Sequence, residues 1–216
     1  METTQTARPN LVVLTAQQLY TAASLREIGE LIYQVRVPMA FGGMIFTQLP
    51  DLPTRITGHY LGATIEGALQ RVDELLFPVR LPQAAPPIPL AYEIALEDFR
   101  IHQAHIEAEL WHMLGDSGMP HALLRRANIN FSRDIIAALT LGNIKYLGVD
   151  LNWIKGLLTN HYQMPESLVT RYLAAYREAA ERHLHADEPL LTNWLNHILA
   201  LEGEQGVEEF GIGGQL

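Results

Sequence analysis

Apolar residues recur at steps of three and four along most of the chain, the spacing that lines one face of an α-helix. Leu25, Ile28, Ile32 and Val35 form the first stripe. Thr15 precedes Gln18 by three residues, as in a capping box, and predicts that helix's start. Pro38 ends the pattern, and a loop is predicted through Pro50 and Pro53. The stripe Leu61, Ile65, Leu69, Val72, Leu76 predicts a second helix from about Thr57 to Phe77. A third runs from Leu90 to Leu114 and stops at Gly115 and Gly118. A fourth begins near Pro120 and passes Ile135, Ile136 and Leu139 to Gly142, with Asn128, Asn130 and Ser132 as candidate breaks. Asn143 caps a fifth, carrying Leu147, Leu151, Ile154 and Leu158. The sixth starts near Pro165 and reaches about His185. Asp187 caps a seventh, with Pro189 in its first turn and Leu191, Trp194, Leu195, Ile198 and Leu201 along it. Period-two alternation is nearly absent; Leu11 to Leu14 is the one short extended piece. The expected fold is all-α, a globin-like or orthogonal bundle of about seven helices.

Five prolines, Pro78, Pro82, Pro86, Pro87 and Pro89, punctuate this pattern. Each removes a backbone donor and clashes with the preceding turn, so the connector 78–89 cannot be helical throughout. The expected organisation is an N-terminal arm, 1–14, a helical domain, 15–202, divisible at the connector, and a Gly/Glu-rich tail, 203–216. With 216 residues the chain can bury one large core or two small ones.

Composition narrows the chemistry. The formal net charge is −9, which disfavours nucleic acid and anionic membrane surfaces. There is no cysteine, so disulfides, thiolate metal sites and cysteine nucleophiles are excluded. The first ten residues lack the apolar core of a signal peptide. No apolar run approaches the roughly 20 residues of a spanning helix. A soluble cytoplasmic protein without membrane insertion is expected. No Gly-rich phosphate loop, Gly-x-Ser-x-Gly elbow or His-Glu-x-x-His motif is present.

Two constellations could carry chemistry. On the third predicted helix, Asp98, His102, His105, Glu109 and His112 step by four, three, four and three, which lines them along one face. His102, His105, Glu109 and His112 form the candidate metal set. Glu109 and His112 make the Glu-x-x-His pair that carboxylate-bridged bundles use for iron or manganese. A second Glu-x-x-His is missing, so one helix cannot close a di-metal site. The alternative is a solvated or ligand-lining polar face beside the apolar stripe Phe99, Ile106, Leu110 and Met113. The second constellation is aromatic. Trp111, Tyr146, Trp153, His161, Tyr172 and Tyr176 are candidates to line a pocket for a flat ligand, against the alternative of plain core.

The run Phe131-Ser132-Arg133-Asp134 to Leu139, then Gly142-Asn143, Tyr146-Leu147 and Asp150-Leu151-Asn152-Trp153 to Leu158, resembles the non-haem globin and phycobilin-type sensor domains. Met164-Pro165-Glu166 to Leu168, and Tyr172 to Tyr176, fit that family's closing helix. The resemblance spans about residues 128–185. It implies an apolar pocket that holds a linear tetrapyrrole, a lipid such as a fatty acid, or nothing. Bilins attach through cysteine in phycobiliproteins, so a chromophore here would be non-covalent. A helical cap of the kind that precedes cobalamin-binding domains is a rival resemblance, and on the all-α reading it would lack its α/β partner.

These readings lead to a ligand-responsive sensory or interaction domain, more a binder than an enzyme, acting through a protein partner or as a homo-oligomer. The alternatives are a helical metalloenzyme using the His/Glu face and a structural assembly subunit.

Overall fold

The structure, a computed structural model, describes residues 9–77, 80–82, 84–115, 118–148 and 166–210. It is mostly helical, at 68% helix, with seven helices and three short strands among the described residues. None of the described helices is long and apolar enough to cross a membrane. The chain divides into two compact units. One comprises the chain up to Pro89 with Thr140–Gly142, and the other comprises Leu90–Leu139 and the chain from Asn143 on. The boundary at Pro89 falls at the end of the proline-rich connector.

The first unit carries the three short strands of this mostly helical fold. Strands β1 (Val12–Thr15), β2 (Met39–Gly42) and β3 (His59–Tyr60) form a parallel sheet in the order β1-β2-β3. β2 is central and buried, with burial unbroken from Met39 to Phe41. A strand covered on both faces shows no polar alternation, so periodicity cannot reveal it. Thr15 ends β1 instead of opening a helix. Helix α1 (Leu19–Gln34) starts later, where Thr21 Oγ1 accepts the Gln18 N–H at 3.1 Å. It buries Leu19, Ala22, Leu25 and Ile32. Gly29 is needed there, because a Cβ would lie 2.5 Å from the Thr57 carbonyl oxygen.

Helix α2 (Ile45–Gln48) and a 3-10 turn (Leu52–Arg55) lead to β3, and helix α3 spans Ile65–Leu76. The second predicted helix is therefore eight residues shorter at its start than expected. Thr64 caps it, accepting the Gly67 N–H at 3.2 Å on its Oγ1. Its predicted stripe is only partly the buried face. Ile65 and Leu69 are 78% and 65% exposed, while Ala68, Val72 and Leu75 pack on Ala40 and Leu61. Phe41 is fully buried, with Phe46 and Tyr60 rings at 5.0 and 5.9 Å. Arg26 is 5% exposed and donates to the carbonyls of Arg55 and Pro86, the latter at 3.0 Å.

The second unit is helical throughout its described residues. Helix α4 spans Leu90–Leu114, as predicted from sequence. Helix α5 (His121–Thr140) runs unbroken through Asn128 and Ser132. Those two residues do not break it because their side chains find partners across the core. Tyr172 donates to Asn128 Oδ1 at 3.0 Å, and the Ser132 and Tyr176 hydroxyls lie 3.2 Å apart. A 3-10 turn, Ile144–Tyr146, follows, capped by Asn143 Oδ1, which accepts the Lys145 N–H at 3.1 Å. Helix α6 spans Glu166–His183 and α7 spans Leu190–Phe210. The last helix thus continues past Gly203, where composition predicts its end. Most of the fifth predicted helix, with Trp153 and His161, lies outside the described residues.

Candidate functional site

Helix α4 presents three kinds of surface. Phe99, Ile106 and Leu110 are buried in the core, while Leu90, Ile94 and Ile101 are exposed. Between them, at helical spacing, lies the polar row Asp98, His102, His105 and Glu109. The row meets the C-terminal turn of α6 and the residues just after it.

Asp98 is the hub, with its side chain 13% exposed. Its Oδ2 accepts the backbone N–H groups of His185 and Ala186 at 2.8 and 2.9 Å. Its Oδ1 lies 2.9 Å from His102 Nδ1, which also sits 2.9 Å from the Asp98 carbonyl oxygen. Both neighbours of that nitrogen are acceptors, so Nδ1 carries the proton, and a neutral ring keeps its lone pair on Nε2.

Three more imidazoles adjoin this hub. The His185 ring stands edge-on to His102 at 5.1 Å. His105 lies 6.3 Å from His102 and stacks on His183 at 5.8 Å. Further along, Glu109 pairs with Arg182, which also holds Glu178. Glu109 Oε2 is 3.9 Å from His183 Nε2, and that nitrogen is buried without a hydrogen-bond partner. A cavity of about 160 Å³ opens beside Asp98, lined by Phe99, Leu139, Ala180, Leu184 and Leu191 among others.

The predicted metal set is only partly assembled. His102, His105 and Glu109 share the seam, but His112 is exposed and outside these contacts. Glu109 is engaged by Arg182. Among the described residues, no three His, Asp or Glu side chains converge as ligands of one ion. His183 and His185 were not among the sequence candidates for this site. Their His-x-His spacing at the end of the sixth predicted helix was the available signal.

The aromatic candidates separate. Tyr172 and Tyr176 are buried around Phe131, whose ring lies 6.2 and 4.7 Å from theirs and 6.3 Å from Trp194. Burial pushes both phenol pKa values up, most strongly by desolvation. Tyr146 is buried at 2% exposure. Trp111 is partly exposed and meets the His121 ring edge-on at 5.6 Å. Trp153 and His161 lie outside the described residues. Phe131 and Trp194 join the cluster without having been candidates, although Trp194 sits on a predicted helix stripe and Phe131 opens the run that carries the resemblance.

The first unit holds a second candidate, at the carboxyl ends of its parallel strands, where open α/β sheets bind ligands. β2 runs there into Gly43, whose φ is +128°. A Cβ on Gly43 would lie 1.9 Å from the Ala16 carbonyl oxygen. Gln17 Oε1 accepts the Met44 N–H at 3.3 Å, and the Met44 side chain is exposed.

No protein-family model matches the chain, and no curated protein matches it.

Proposed function

We propose that the helical unit is a non-catalytic, ligand-responsive sensory domain that reports to a protein partner or a second copy of the chain. The observation that carries this reading is the Asp98 clamp. One half-buried carboxylate holds His102 on its own helix and the backbone of the α6–α7 connection. A ligand that engages the imidazoles competes for or reinforces this clamp. It therefore biases the packing of α6 on α4, which is the physical content of a population shift. The likeness to globin-type and phycobilin-type sensors supports the same reading. The cavity beside Asp98, about 160 Å³, is below the roughly 300–1,000 Å³ of sites for drug-sized ligands. That favours a ligand of a few atoms or an ion over a linear tetrapyrrole or a lipid.

The test is amide hydrogen exchange on the full chain between pH 8 and pH 5.5, corrected for intrinsic exchange rates, with protons as the probe. Imidazole changes charge in that window. The groups facing one another across the seam are Asp98, His102, His105 and Glu109 on α4, and Glu178, Arg182, His183 and His185 from α6 and its end. Protection at 183–190 should change with pH while α5 stays constant. Equal behaviour of the two segments at every pH would remove the basis for a responsive seam.

A second reading is favoured by the Gly43 turn at the sheet's carboxyl edge: the first unit receives a small molecule there. Chemical-shift changes confined to Thr15, Gly42, Gly43 and Tyr60 in a small-molecule screen would favour it over the seam.

A further inference from the structure

We propose that the cavity beside Asp98 binds a small organic cation, a primary ammonium on a compact hydrocarbon body, with Asp98 at its polar end. The inference rests on the ligand-responsive reading above and names its ligand class. Three observations carry it. First, the wall is hydrocarbon: Phe99, Leu139, Ala180 and Leu191 line the cavity and are buried. Second, its ionisable lining is of one sign. Asp98, Glu181 and Glu188 are carboxylates, and no lysine or arginine lines the cavity. Thr192, the remaining polar side chain, donates its hydroxyl to the Pro189 carbonyl at 3.1 Å. Third, the charge of Asp98 is held by neutral donors. Its side chain is 13% exposed, and its partners among the described residues are two backbone N–H groups and the His102 Nδ1–H. A carboxylate offers about four lone-pair sites, so one remains for an N⁺–H donor.

The cavity also selects among cations. Its volume of about 160 Å³ matches the roughly 150 Å³ of a cavity that takes benzene, so a body of that size fits. The carboxylates do not converge on one point as ligands of an ion. An ammonium needs no such convergence, and its hydrocarbon body covers the apolar wall. Glu188 is exposed, and Glu181 is half-exposed and 3.8 Å from Arg177, so both act at the mouth, where water screens them. The ammonium draws on the carboxylate that holds the His185 and Ala186 N–H groups, which couples occupancy to the end of α6. A free amine and a lysine side chain of a partner both present this chemistry.

The experiment is titration of the full chain with benzylamine near neutral pH, read by amide NMR shifts, calorimetry and the same hydrogen-exchange measurement. Benzyl alcohol serves as the neutral isostere. The expected result is one saturable site with shifts centred on Phe99, Leu139 and Leu191, and at least about 10-fold tighter binding of the amine than of the alcohol. Asp98→Asn should remove that preference. Glu181→Gln/Glu188→Gln, on the exposed rim, should weaken amine binding by about threefold and provides a folded variant if Asp98→Asn melts early. Thermal melts verify folding. No saturable binding, equal binding of amine and alcohol, or a preference untouched by these replacements overturns the proposal. A comparison of n-butylamine with Nα-acetyl-lysine methylamide separates the sources: tighter binding of the first supports a free amine, and of the second a partner's lysine. Benzylamine binding with no change in exchange at 183–190 leaves the cation site standing and removes the sensory reading. A proton-driven change in exchange without amine binding does the reverse.

Discussion

The carboxylate of Asp98 accepts the backbone N–H of His185 at 2.8 Å across 87 residues of sequence. With the neighbouring Ala186 N–H, this gives α4 a charged hydrogen-bonding hold on the chain leaving α6. Asp98→Ala orphans two backbone donors and takes the carboxylate from the His102 Nδ1–H, which keeps the Asp98 carbonyl. The expected destabilisation is roughly 2–5 kcal/mol, from the cost of unmade bonds to a charged group. Asp98→Asn keeps an acceptor and should lose about half as much. Urea unfolding followed by circular dichroism checks both, and an Asp98→Ala loss under about 1 kcal/mol would contradict the clamp.

Arg26 fastens three parts of the first unit. It donates to the Arg55 and Pro86 carbonyls and lies 3.3 Å from Glu30. Burial lowers its pKa, but guanidinium stays protonated at every accessible pH. Arg26→Lys should cost about 1–2 kcal/mol, because one ammonium cannot span both carbonyls and one of these part-buried bonds is lost. A denaturation midpoint equal to that of the parent protein would show that Lys replaces the fork.

Alkaline pH should destabilise the helical unit through Tyr172 and Tyr176. Their folded-state pKa values are raised above the ordinary phenol value near 10, so above that pH the folded state holds protons that the unfolded chain has released. The two phenols leave stability unchanged below about pH 9, and stability falls as pH rises through 10 and beyond. Tyr172→Phe/Tyr176→Phe should flatten this dependence while costing about 1 kcal/mol per lost hydrogen bond near neutral pH. Thermal midpoints between pH 8 and pH 11 decide; parallel curves for parent and variant would refute the assignment.

Gly43→Ala should prevent the first unit from folding. The backbone at φ +128° is strained for any L side chain, and the new Cβ would overlap the Ala16 carbonyl oxygen. A loss above about 3 kcal/mol is expected by comparison with known strained positions. Gly62→Ala provides the contrast. It also has positive φ, but nothing lies within 4 Å of its Cβ, so its cost should stay near 1 kcal/mol. Similar losses at the two positions would show that the Ala16 contact is not the cause.

The helices were the most legible part of the sequence. The helix Leu90–Leu114 was readable in its approximate extent because two glycines and a proline-rich connector bound it. The sheet was hidden because Met39 to Phe41 are buried on both faces, which leaves no alternation to detect. The helix α3 stripe was misleading because Ile65 and Leu69 point to solvent. At the site, the α4 half was visible as a row of spaced polar residues. The α6 half was not, because pairing Asp98 with His185 is a long-range fact that no local window contains. The buried polar pairs follow the same rule: Asn128 and Ser132 read as helix breakers until Tyr172 and Tyr176 come into contact with them.

The 87-residue span of the Asp98 clamp also sets a clock during synthesis. At about 5–20 residues per second, the ribosome needs roughly 4–17 s after making Asp98 to produce the backbone it will hold. Helix α4 emerges through that interval with its carboxylate and imidazoles unmatched and its core face uncovered. The nascent chain is therefore most open to a chaperone, or to a neighbouring chain on the same message, between the emergence of α4 and the completion of α6.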